Sequence, residues 1–71
     1  MKFKSGDLVH VPANTTLIRT YISGNSTLVE HMVTTVPKNA LFIEDSEKDM
    51  GLIQYCEKLW LAEKSQISHL E

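Results

Sequence analysis

Three groups of residues have types and spacings that could do chemistry. The first is the acidic run Glu44-Asp45-Ser46-Glu47-Lys48-Asp49, where Asp45, Glu47 and Asp49 alternate like the opening of a calcium loop. The loop template then fails. Glycine falls at Gly51, one residue late for the tight turn, and the twelfth position counted from Asp45 is Cys56 rather than a glutamate. The second is Cys56 with the histidines at 10, 31 and 69. A nucleophile also needs a positioned base and an oxyanion site, and a lone cysteine in an apolar strand is more often a small buried hydrophobe. Structural zinc wants four ligands at short paired spacings, which one cysteine and three scattered histidines do not supply. The third is the aromatic set Phe3, Tyr21, Phe42, Tyr55 and Trp60, which could stack on nucleic-acid bases. A small domain needs its largest side chains inside, so Phe42 and Trp60 are expected in the core. Tyr21 and Tyr55, each with a polar end, are expected at a surface. No catalytic site, metal or cofactor is therefore expected.

These residues must be positioned by a chain of only 71 residues with one cysteine, which rules out an intramolecular disulfide framework. A domain of this size is marginally stable and often leans on a disulfide, a metal or self-association. One domain, 1–71, is expected. The basic start has no apolar run behind it, and no stretch approaches the roughly 20 apolar residues that span a bilayer. A cytoplasmic protein is the expectation. Net charge is −2, divided unevenly: residues 1–39 carry four basic and two acidic groups, and residues 40–71 carry three basic and seven acidic.

The pattern along the chain is that of short strands. Gly6-Asp7 is a turn signal before Leu8-Val9-His10-Val11, which stops at Pro12 because proline cannot donate to a ladder. In Thr15–Ile22, Leu17, Arg19 and Tyr21 share one face and Ile18, Thr20 and Ile22 the other. Ser23-Gly24-Asn25-Ser26 suits a tight hairpin. The next run, Thr27–Val36, breaks strict alternation at Leu28-Val29 and Met32-Val33, which predicts a bulge near Glu30-His31. Ala40–Ile43 is a further short strand before the acidic loop.

Residues 49–71 admit two readings. As a helix, Ile53, Cys56, Trp60, Ile67 and Leu70 make a broken apolar stripe. As strands, Leu52–Cys56 and Leu59–Ala62 flank a turn at Glu57-Lys58. Glu63 interrupts the helical stripe and Leu59 and Leu61 project off it, so strands are preferred.

Phe3-Lys4-Ser5-Gly6-Asp7-Leu8-Val9-His10-Val11 resembles the opening of SH3-like barrels, where a Gly-Asp turn precedes an apolar first strand. The stretch from Leu59 to Leu70 resembles their ending, with Glu63 to Gln66 as a 3₁₀ turn and Ile67 to Leu70 as the last strand. The resemblance implies an all-β fold, a single SH3-like barrel of about five short antiparallel strands. It departs from the peptide-binding SH3 family, which has a tyrosine-rich start and adjacent tryptophans; here Trp60 is followed by Leu61. In overall character the chain is also similar to small bacteriophage proteins that bind a host protein.

The function expected is a non-enzymatic protein-binding module. Interfaces favour tyrosine, methionine and arginine, which points to Arg19, Tyr21, Met32 and Tyr55 as contact residues. Edge-strand pairing is a second binding mode and would also give a homodimer. The alternative is a nucleic-acid-binding barrel using Lys2, Lys4, Arg19 and Lys38, which requires those four to share a face.

Overall fold

The structure is a computed structural model and describes residues 2–70. Residues 49–70 settle on the strand reading: among the described residues there is no α-helix. The strands are β1 (Leu8–Val11), β2 (Thr16–Ser23), β3 (Ser26–Val33), β4 (Lys38–Asp45), β5 (Met50–Tyr55), β6 (Lys58–Glu63) and β7 (Ser68–His69). A single 3₁₀ turn, Lys64–Gln66, joins β6 to β7. In place of about five strands, seven form one antiparallel sheet in the order β3-β2-β6-β5-β4-β1-β7, and it is not closed.

Alternation sets which side of the sheet is buried. Val9 and Val11 of β1, Leu17 of β2, Ala40 and Phe42 of β4, Ile53 and Tyr55 of β5, and Trp60 and Ala62 of β6 all point to one side. Phe3 and Ile67, from outside the strands, complete this core, and Met32 packs against it. Facing pairs keep the layers aligned: Phe42 opposes Ile53, and Ile53 opposes Trp60. Gly51 sits where a side chain cannot: a Cβ there would lie 2.6 Å from Phe42 Cε1.

The two ends of the chain meet on β1. The Gly6 N–H donates to the Phe42 carbonyl, and the Phe42 N–H donates to the Asp7 carbonyl, both at 2.8 Å. On the other side of β1, Val9 opposes His69, and the Leu70 N–H reaches the Leu8 carbonyl at 3.2 Å. The 3₁₀ turn is held by the Lys64 N–H on the Asp49 carbonyl (2.7 Å) and by Lys64 Nζ on Asp45 Oδ1 (2.8 Å).

Several local expectations are corrected. The β2–β3 register runs unbroken from Thr16↔Val33 to Ser23↔Ser26, so no bulge forms near Glu30-His31. The irregularity lies in β4, between Phe42 and Glu44, where it turns Glu44 to the outer face opposite Leu52. The acidic run is not wholly loop, because Glu44 and Asp45 belong to β4. The β5–β6 turn is Cys56-Glu57 rather than Glu57-Lys58, with both residues at positive φ (51° and 68°). Cys56 is therefore exposed at a turn, not buried in a strand.

Candidate functional site

The β2–β3 hairpin leaves the body of the sheet. β2 pairs with β6 only through Leu17↔Ala62 and Ile18↔Leu61. Beyond Ile18 the hairpin continues as a two-stranded ribbon, closed at Gly24-Asn25. Gly24 has φ of 62° and Asn25 has none of the positive-φ geometry, the pattern of a tight type II′ turn with glycine first. The five residues from Arg19 to Ser23 extend the ribbon by about 16 Å at about 3.3 Å each. The molecule measures 42 × 24 × 20 Å as a result.

The ribbon carries apolar side chains on both faces. On the inner face, Leu17 opposes Met32, Arg19 opposes Glu30, and Tyr21 opposes Leu28. On the outer face, Ile18 opposes His31, Thr20 opposes Val29, and Ile22 opposes Thr27. Tyr21 and Leu28 are 42% and 39% exposed, and Ile22 and Val29 are 78% and 56% exposed. A ribbon with no layer above or below it cannot bury them.

Arg19 organises the inner face. Its Nη1 donates to Glu30 Oε1 at 2.8 Å across the strand pair. Its Cζ lies 5.5 Å from the ring centroids of both Tyr21 and Trp60. Each cation–π contact of a partly exposed arginine contributes about 0.5–1 kcal/mol, and a solvent-accessible ion pair about 0–1 kcal/mol. These contacts fix Arg19 and Tyr21 in place more than they stabilise the fold. They also link the exposed ribbon to the buried indole of Trp60.

The outer face continues the apolar surface onto the body. Ile18, Leu61 and Leu52 stand in register across β2, β6 and β5, with Leu59 two residues from Leu61 on the same face. Together with Arg19 and Thr20 they line a shallow cleft.

Of the expected contact residues, Arg19 and Tyr21 come together on the ribbon. Met32 is half-buried against the core at its root. Tyr55 is corrected: it is 5% exposed and part of the core, because its place in the β5 alternation puts it inside beside Ile53. Leu28, Glu30, Ile22 and Val29, which the sequence did not single out, lie on the same ribbon. Their signal was the adjacent pair Leu28-Val29, which places apolar side chains on both faces rather than marking a bulge.

The other chemistry is dispersed. Cys56 Sγ lies 3.5 Å from Lys38 Nζ. Among the described residues, no group of three or more His, Cys, Asp or Glu is arranged to hold a metal. Asp7 accepts from the Lys4 backbone N–H at 2.8 Å and lies 3.2 Å from His69 Nε2. The Lys4 N–H first, and His69 second, hold the Asp7 carboxyl below its ordinary pKa against the opposing effect of desolvation. Of the four basic residues in the nucleic-acid reading, Arg19 is neutralised by Glu30. Lys38 begins β4, separated from β2 in the sheet by β6 and β5, and Lys2 and Lys4 precede β1. Among the described residues, no helix is long and apolar enough to cross a membrane.

Comparison with known proteins gives no matching family model, no matching curated protein and no matching solved structure.

Proposed function

We propose that this chain is a non-enzymatic protein-binding module of SH3-like architecture, and that its β2–β3 ribbon is the binding element. The observation that carries the reading is the exposure of Tyr21, Ile22, Leu28 and Val29 on a ribbon that leaves the core after Ile18. Neighbouring apolar side chains left exposed on each face of the ribbon, Tyr21 with Leu28 and Ile22 with Val29, are what a docking partner would cover. The inner face adds what interface centres favour, a tyrosine and an arginine held in one geometry. The SH3-like part is supported by the connectivity. β1 lies between β4 and the last strand, and a 3₁₀ turn precedes that strand. Binding a host protein, as small bacteriophage proteins do, belongs to the same reading. Nucleic-acid binding is the weaker reading, because Arg19 is committed to Glu30 and Lys38 lies strands away from it. The test is site-specific photocrosslinking from position 21 on the ribbon against position 65 on the 3₁₀ turn.

A further inference from the structure

We propose that the free edge of β3 pairs with β3 of a second copy, joining two ribbons into one four-stranded antiparallel sheet, β2-β3-β3-β2. The inference rests on the reading of the ribbon as a protein-binding element and assigns its open edge to self-association.

Three observations carry it. The first is the edge itself. β3 ends the sheet, so one row of its backbone groups has no strand partner. The Thr34 N–H donates to the Thr15 carbonyl at 2.9 Å. Alternation from Thr34 then turns the N–H and C=O of Leu28, Glu30 and Met32 towards β2, and those of Thr27, Val29, His31 and Val33 outward. Edges that avoid pairing carry lysine, proline, bulges or short strands. β3 has none of these: it runs Ser-Thr-Leu-Val-Glu-His-Met-Val in unbroken register, and its one acid is engaged by Arg19.

The second is the weakness of a two-stranded ribbon. Such a hairpin is marginal in water by itself, and three or more strands are needed for independent stability. Past Ile18 this ribbon has no third strand. Among the described residues neither a metal-binding cluster nor a disulfide reinforces the domain. A second copy supplies the missing strands.

The third is self-complementarity. A two-fold axis normal to the sheet brings the strands together antiparallel and keeps inner faces on one side, so outward residues pair with outward residues. Centred on Glu30, the pairing sets two carboxylates directly opposite each other, which is unfavourable. Centred on Val29, it pairs Val29 with Val29 and Thr27 with His31 in both directions, and sets Glu30 against Leu28. That register forms roughly six new backbone hydrogen bonds, two for each hydrogen-bonded pair. It leaves both faces of the ribbons open and doubles the surface bearing Tyr21 and Leu28.

Sedimentation equilibrium of the full chain tests this. The wild type is expected at twice 8.1 kDa at about 100 μM, a concentration that saturates a dimer of about 1 μM Kd. Val29→Pro removes an outward N–H that β2 does not use. Val29→Lys keeps the N–H and sets like charges at the two-fold axis. Both are expected to sediment at 8.1 kDa with wild-type circular dichroism. In the wild type, the Thr27, Val29 and His31 amides should exchange at least tenfold more slowly than in Val29→Lys. A monomeric wild type overturns the proposal, as does a dimer that survives Val29→Lys. Crosslinks from position 21 to a different protein, with the wild type monomeric, sink only the dimer. A dimer with no such crosslink sinks only the wider reading.

Discussion

Cys56 and Glu57 both adopt positive φ, at 51° and 68°, in the turn between β5 and β6. A left-handed conformation costs an ordinary side chain roughly 1–2 kcal/mol, and glycine and asparagine much less. Replacing the pair by Asn-Gly is expected to stabilise the domain by about 1 kcal/mol, read as a higher urea midpoint. An unchanged or lower midpoint contradicts this geometry. Asp7 gives a pH prediction. Its folded pKa is lowered, chiefly by the Lys4 backbone N–H. The contribution of its carboxylate is thus fully present above the unfolded value of about 3.9, and is lost as pH falls through the lower folded value. Asp7→Asn should flatten the acid side of the stability profile in that window. An identical acid slope in the two proteins would contradict the assignment.

At the scale of elements, the root of the ribbon is tied to the end of β1 by two buried threonines. Thr34 Oγ1 accepts from the Thr15 N–H at 2.9 Å and donates to the Pro12 carbonyl at 2.8 Å. Thr15 Oγ1 donates to the same carbonyl at 2.7 Å. Thr34→Val keeps the shape and leaves the Thr15 N–H buried without that acceptor, at an expected cost of about 1–3 kcal/mol in urea unfolding. A midpoint within error of wild type would show the knot to be unimportant. Most strands were legible in the sequence because proline, glycine and β-branched runs mark their limits: Pro12 ends β1, and Gly24-Asn25 closes β2–β3. The β5–β6 turn was misplaced because no turn-forming residue marks it. Sliding a two-residue turn by one position also leaves the inside–outside pattern unchanged, so alternation could not correct it. The ribbon was half legible. Arg19 and Tyr21, singled out by type and shared face, both lie on the ribbon. Tyr55 was misjudged because type alone does not tell which side of β5 is covered. That the hairpin leaves the body after Ile18 depends on tertiary pairing with β6, which no local pattern encodes.

For the whole molecule, the distribution of apolar surface is the informative property. The radius of gyration is 12.1 Å, against about 11 Å for a compact domain of this length; the excess belongs with the 42 Å long axis. Buried side chains from five strands, together with Phe3 and Ile67, build the core, while the ribbon spends four large apolar residues on solvent. In a domain small enough to be marginal, that allocation is costly unless another protein covers the ribbon. Crosslinking in the cell that makes the protein tests this most directly, with a photoreactive residue in place of Tyr21 or, as the control, Ser65. The account predicts a discrete adduct with a different protein from position 21, absent from position 65 and lost when Leu28 is changed to Ser. No adduct from position 21, adducts with its own chain alone, or the same adducts from both positions would contradict it.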